Sequence, residues 1–97
     1  MGPDTRDAIL TDLMELAKLV DGLQQAEQKF GEGRDPNLDR VDSLVGEAVY
    51  AWNVGDLTGL KARGLKLLGG FRQLRDRRGA RQALSLVRHV RTAQRWV

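Results

Sequence analysis

The chain of 97 residues carries 16 lysines and arginines, 13 aspartates and glutamates, one histidine and no cysteine. Its length indicates one small domain, residues 1–97, and excludes an active-site cleft between two lobes. The lack of cysteine excludes disulfides and cysteine-ligated metals, and a lone histidine excludes a multi-histidine metal site. The longest run without a charged residue, 48–55, is far shorter than the roughly 20 apolar residues of a membrane span. Acidic residues from Asp4 onward argue against a signal peptide, so we expect a soluble cytoplasmic protein.

The first segment has helical periodicity. Spacings of four, three, four, three and seven separate its apolar residues Ile9, Leu13, Leu16, Val20, Leu23 and Phe30. Asp4 or Thr5 is a suitable N-cap after Pro3, and Gly31 can adopt the left-handed conformation that ends a helix. The pattern predicts a helix over residues 5–30.

The second segment opens with an acidic N-cap, Asp35, followed by Pro36 at the first helical position. We predict a helix over residues 36–54, which ends before the turn that contains Gly55. Its predicted inner face consists of Leu38, Val41, Val45, Ala48, Val49 and Trp52.

The C-terminal part divides into two further segments. Asp56 is placed to cap a helix over 57–75 with the inner residues Leu57, Leu60, Leu67, Phe71 and Leu74. Asp76 is placed to cap a helix over 77–97 with the inner residues Ala80, Ala83, Leu84, Val87, Val90 and Val97. Short linkers make neighbouring helices antiparallel, so we predict an all-α, up-and-down bundle of four helices. Because only Asp76 and Gly79 separate the last two segments, three helices with one long, bent C-terminal helix is the alternative.

Charge is divided unevenly along the chain. Residues 1–56 contain 5 basic and 12 acidic side chains, a net charge of −7, whereas residues 57–97 contain 11 basic and 1 acidic, a net charge of +10. Five arginines of the fourth segment form a candidate ridge for nucleic acid or an acidic membrane surface: Arg77, Arg78, Arg81, Arg88 and Arg95. The alternative is a solvated face whose field the acidic helices partly cancel.

Some charges fall inside the apolar patterns. Asp12 and Glu27 do so in the first helix, and Arg63 and Arg91 in the third and fourth. Since an unpaired buried charge costs several kcal/mol, such residues either lie at the edge of the apolar face, with the stem packed and the charged group in water, or pair with an opposite charge. We favour pairing, which predicts that Asp12 and Glu27 lie near Arg63 or Arg91. His89 lies about 160° from Val87 on the helical wheel, which predicts an exposed histidine.

Four glycines fall in the third predicted helix: Gly59, Gly64, Gly69 and Gly70. Each costs about 1 kcal/mol relative to alanine within a helix. Two explanations remain, close packing against a neighbouring backbone or a kink near residues 69–70.

The sequence contains no constellation that points to catalysis. It lacks a Gly-x-Ser-x-Gly motif, a phosphate-binding loop and any cysteine–histidine pair, and its aspartates cluster where helices start. We therefore expect no enzyme, no catalytic residue, no cofactor, no metal and no small-molecule substrate. The candidate interface residues are the apolar residues outside the predicted inner faces: Leu10, Met14, Tyr50, Leu65 and Trp96.

These features favour a non-catalytic protein–protein interaction module, an accessory subunit or adaptor, whose partner is another protein or a second copy of the chain. The alternative is an anion-binding protein that grips nucleic acid, or less favourably an acidic membrane surface, through the arginine ridge.

Overall fold

The computed structural model describes residues 1–31 and 35–96, so the predicted loop residues 32–34 and the predicted helix end at Val97 lie outside the described part. Four helices are present: α1 (Pro3–Phe30), α2 (Pro36–Asn53), α3 (Leu57–Gln73) and α4 (Arg77–Arg95). The prediction of an all-α four-helix bundle is confirmed. The alternative of one long C-terminal helix is wrong, because Arg75 adopts a left-handed conformation with φ of 56° in the turn that separates α3 from α4.

Three predicted aspartate caps are confirmed. The carboxylate of Asp35 accepts from the backbone amide of Asn37, and that of Asp56 accepts from the amide of Gly59. Asp76 accepts from the amides of residues 78 and 79 at the start of α4. Each cap satisfies backbone donors that a helix leaves without a partner in its first turn.

The predicted start of α1 is wrong. The N-cap residue is Gly2, which provides no side-chain hydrogen bond, and the helix starts at Pro3, so Asp4 and Thr5 lie in its first turn. Proline suits this position because its fixed φ is already helical and its missing amide hydrogen would have no partner there. The predicted end is confirmed, since Gly31 is left-handed with φ of 64°.

Each helix packs against two others. In the described part of the chain the backbone of α1 lies close to α2 and α4, and that of α3 lies close to α2 and α4, while the backbones of the diagonal pairs stay farther apart. This arrangement follows from short connections, which make consecutive helices antiparallel neighbours and bring the last helix back beside the first. The acidic helices α1 and α2 therefore adjoin each other, as do the basic helices α3 and α4.

The core lies along the axis of the bundle. It contains most of the predicted inner residues together with four that the apolar patterns did not assign, Leu44, Ala51, Leu86 and Ala93. Val49 was predicted to face inward but is exposed, and Phe30 is 70% exposed. Phe30 lies at the end of α1, which has 28 residues where the other helices have 17–19, so the bundle does not cover the whole of its apolar side.

The glycines of α3 allow close packing at two positions. A Cβ atom on Gly64 would lie 2.8 Å from Cγ2 of Val87 in α4, and one on Gly70 would lie 2.7 Å from Cγ2 of Val41 in α2. Gly69 faces open space, and the helix continues through both glycines. Close packing therefore explains Gly64 and Gly70, but not Gly69.

Gly79 is the position where a methyl group would do most harm. A Cβ atom there would overlap the fully buried ring of Phe71. We expect Gly79→Ala to lower the free energy of unfolding by about 1–3 kcal/mol, because a close-packed core relaxes poorly. The matched control, Gly69→Ala, adds a methyl group in open space and should raise stability by about 0.5–1 kcal/mol through helix propensity. Urea unfolding measures both, and equal effects of the two substitutions would contradict the packing.

Candidate functional site

A buried carboxylate joins the first and last helices. Asp12 of α1 is 4% exposed and is the buried charged residue of the described chain. Gln82 Nε2 donates to Asp12 Oδ1 at 2.7 Å, and Ser85 Oγ donates to the same oxygen at 2.9 Å. Nδ1 of His89 lies 2.6 Å from Asp12 Oδ2 and donates to it when the carboxyl is ionised, because a carboxylate only accepts. These four residues are named the Asp12 cluster.

The prediction that Asp12 and Glu27 lie near Arg63 or Arg91 is wrong. Asp12 meets three α4 side chains rather than Arg63 or Arg91, and His89, predicted to be exposed, is half-buried beside it. Glu27 Oε2 accepts from the backbone amide of Asp35 at 2.9 Å and so ties the end of α1 to the start of α2.

The two seam arginines also differ from expectation. Arg63 Nε lies 3.5 Å from Glu47 Oε1, an ion pair between α3 and α2. Arg91 is exposed rather than part of the apolar seam. The wheel phase of α4 places Arg91 at the edge of the buried side, because Gly79, Leu86 and Val90 lie roughly 100° or more away while buried Val87 lies about 40° away.

The Asp12 cluster resembles catalytic chemistry only in its residue types. Nucleophilic catalysis needs the hydroxyl to face the imidazole, which takes its proton. In this structure the hydroxyl of Ser85 donates to Asp12, and the Nδ1 atom of His89 faces the same carboxyl group. The geometry therefore supports a structural link that satisfies a buried charge between two helices.

A sequence signal for the Asp12 cluster exists in retrospect. Gln82, Ser85 and His89 are spaced by three and four, so they share one stripe of α4, and Asp12 interrupts the apolar seam of α1. An up-and-down bundle places α1 beside α4. These observations together identify the pairing, whereas an expectation limited to charged partners does not.

Two glycines determine the rotation of α3. Gly64 faces α4 and Gly70 faces α2, so residues on the same side as Gly64 lie toward α4. Lys61, Leu65 and Arg72 fall within roughly 100° of Gly64 on that side. Leu65 is 45% exposed, and Lys61 is half-buried. The outer surface of α3 next to α4 therefore combines a leucine with cations.

The outer surface of α4 continues this pattern. Arg81, Arg88 and Arg95 repeat every seven residues, and Arg77 precedes them on the same line. All four are exposed on the side away from the buried stripe, and none forms an ion pair with a carboxylate in the described part of the chain. We define the basic face as the outward surface of α3 and α4 that contains Lys61, Leu65, Leu68, Arg72, Arg77, Arg81, Leu84, Arg88, Arg91 and Arg95.

A groove lies between α1 and the α3–α4 turn. Leu19 and Leu23 of α1 and Leu74 of the turn provide its apolar lining, and Gly22 leaves it open. Its cations include Arg75, Arg77 and Arg78. Arg77 and Arg78, both predicted as part of the arginine ridge, thus border the groove. Arg78 lies on the side of α4 next to α1, whereas Arg77 also belongs to the row formed with Arg81, Arg88 and Arg95.

The candidate interface residues do not form one surface. Leu10 is half-buried and Met14 is exposed on α1, Tyr50 is exposed on α2, Leu65 lies on the basic face, and Trp96 is exposed at the C-cap of α4.

Residues 1–31 and 35–96 contain neither a metal-binding group nor a membrane-spanning helix. This part of the chain holds no group of three or more histidine, aspartate or glutamate residues able to bind a metal ion. None of its helices combines the length and apolar character needed to cross a bilayer. Comparison of the chain with protein-family models, with curated proteins and with solved structures gives no match.

The Asp12 cluster predicts a large effect for one small truncation. Asp12→Ala leaves the donors on Gln82 and Ser85 without their acceptor, so we expect a loss of about 2–4 kcal/mol in the free energy of unfolding. Asp21→Ala, which removes an exposed carboxylate from the same helix, should stay within about 0.5 kcal/mol of the wild type. Chemical denaturation measures both variants.

A double-mutant cycle separates the cluster from a general effect of charge. Ser85→Ala should cost about 1 kcal/mol less in the Asp12→Ala background than in the wild type. Strict additivity of the two substitutions would show that the hydrogen bond contributes nothing to stability.

Proposed function

We propose that the chain is a non-catalytic interaction module, an accessory subunit or adaptor, that binds an acidic protein surface through the basic face. The observation that carries this proposal is the exposed leucine of α3, Leu65, set among cations that have no carboxylate partner in the described part of the chain. Burial of a leucine side chain in an interface contributes about 1.5–3 kcal/mol to the free energy of binding. A leucine that stays in contact with water does not make this contribution.

The mixed character of the basic face favours a protein over a polyphosphate partner. Contacts to a phosphate backbone use cations and make no demand for leucine, whereas protein interfaces combine an apolar centre with a polar rim. Leu65 together with the half-buried Leu68 and Leu84 supplies the apolar part, and Arg72 and Arg88 lie on either side of the α3–α4 boundary. A partner with carboxylates around an apolar centre complements this pattern.

Anion binding is the second candidate function, and a specific observation favours it. The row formed by Arg77, Arg81, Arg88 and Arg95 points away from the core along about 27 Å of α4. Guanidinium groups bind phosphate oxygens in pairs, so such a row suits nucleic acid or an anionic membrane surface.

The leucine provides the test of the leading proposal. Leu65→Ser should weaken binding of the partner about tenfold or more, because it removes apolar area from the centre of the basic face. Met14→Ser is the matched control, since Met14 is 61% exposed at the middle of acidic α1. Affinity capture followed by titration of the captured protein against both variants measures the difference, and equal affinities would contradict the proposal.

The arginine row distinguishes the two candidates. Replacing Arg77, Arg81, Arg88 and Arg95 together with Gln should leave the unfolding transition nearly unchanged, because all four are exposed. If nucleic acid is the partner, retention on heparin and duplex DNA falls and the salt dependence decreases by about one unit per lost phosphate contact. Nucleic-acid binding that is unaffected by Leu65→Ser would favour the second candidate over the first.

A further inference from the structure

The end of α1 carries an apolar stripe that the bundle leaves uncovered. Leu19, Leu23, Ala26 and Phe30 are spaced by four, three and four, so they share one side of the helix. The α3–α4 turn lies beside residues 19–23, where it forms the groove, and α1 continues for about 10 Å beyond it. Exposure rises along the stripe, from half-buried Leu19 and Leu23 to exposed Ala26 and Phe30.

The opposite wall of the groove is basic. Arg75, Arg77 and Arg78 line it together with Asp76, which caps α4, and on the α1 wall Glu15 pairs with Lys18. In the described part of the chain none of the three arginines forms an ion pair. Arg75 reaches the wall from a left-handed conformation that costs a non-glycine residue about 1–2 kcal/mol. The conformation ends α3, because it lets the amide of Asp76 donate to the carbonyl of Phe71 at 2.9 Å.

We propose that this groove binds an amphipathic helix of a partner protein. The partner helix carries acidic residues beside its own apolar stripe. A helix suits the groove because its apolar residues, at positions i, i+3 or i+4, and i+7, repeat with the same spacing as those of the α1 stripe. Acidic flanks fit because the facing arginines supply the complementary charge. The site goes beyond the proposed function and does not depend on it, since the leucine at the centre of the basic face lies on α3.

A second copy of the chain is a poorer occupant than an acidic helix. The α1 stripe of a second copy would bring Lys18 and Lys29 toward the arginines. The carboxylate of Glu27 near this stripe already accepts the amide of Asp35. Two separate docking surfaces on one small bundle are the property that an adaptor needs in order to join two partners.

The test uses a fluorescent, helix-stapled peptide of about five turns, with leucine along one stripe and glutamate beside it. Its twin carries lysine in place of glutamate. In fluorescence anisotropy the full chain should bind the glutamate peptide at least about tenfold more tightly than the lysine peptide. No binding of the glutamate peptide, or equal binding of both, would overturn the proposal.

Gly22 allows the groove to be blocked without disturbing the core. It is exposed, and a Cβ atom there would meet nothing within 4 Å. Gly22→Phe should weaken binding of the glutamate peptide about tenfold or more. Gly46→Phe is the control, since Gly46 is an exposed glycine of α2 with the same open surroundings. Equal effects of both, or loss of peptide binding in Leu65→Ser, would overturn the assignment.

A charge reversal gives a second readout that does not depend on filling the groove. Arg75→Glu combined with Arg78→Glu should reverse the preference from the glutamate peptide to the lysine peptide. The variant should fold, because Arg78 lies in the first turn of α4, where an acidic side chain interacts favourably with the helix dipole. An unchanged preference would overturn the proposal. A wild-type dimer in sedimentation that the Gly22→Phe substitution dissociates would also overturn it, because a second copy of the chain would then occupy the groove.

Discussion

The carboxylate of Asp12 is the constraint on which the arrangement of this bundle depends. A charge buried between helices is tolerated only when hydrogen bonds replace its water, and its donors Gln82, Ser85 and His89 all lie on α4. A shift of α1 by one turn relative to α4 would move Asp12 about 5.4 Å and leave all of them without an acceptor. Apolar contacts distinguish the observed register of α1 and α4 only weakly from one shifted by a turn, because after the shift one leucine takes the place of another. The Asp12 cluster therefore selects one register.

The order of the helices converts a charge asymmetry in sequence into one in space. The net charge is −7 before residue 57 and +10 from there on, and the bundle pairs α1 with α2 and α3 with α4. Opposite sides of the molecule therefore carry opposite charge, which steers anionic partners toward α3 and α4. The basic face and the α1 groove both take their cations from these two helices. Arg77 belongs to both sites, and separate apolar elements, Leu65 on α3 and the stripe of α1, distinguish them.

Small residues and one long helix determine which apolar side chains remain exposed. Gly64, Gly70 and Gly79 allow α3 to approach both of its neighbours closely, so much of its apolar area is buried without bulky side chains. Leu65 lies outside that contact and stays accessible. Extension of α1 beyond the α3–α4 turn leaves Phe30 without a covering helix. Both proposed sites thus arise where the packing of the bundle ends.

The sequence by itself determined the four helices, because their signals are local. The caps Asp35, Asp56 and Asp76, the left-handed Gly31 and the apolar periodicity each act within a few residues. It also determined that the arginine row of α4 is one line. Only the tertiary structure decided the partners of Asp12, the exposure of Arg91 and Val49, and the groove beside Leu74. Those features depend on how each helix is rotated and where its neighbours end, and this is decided by contacts between residues far apart in the chain, such as Gly64 against Val87.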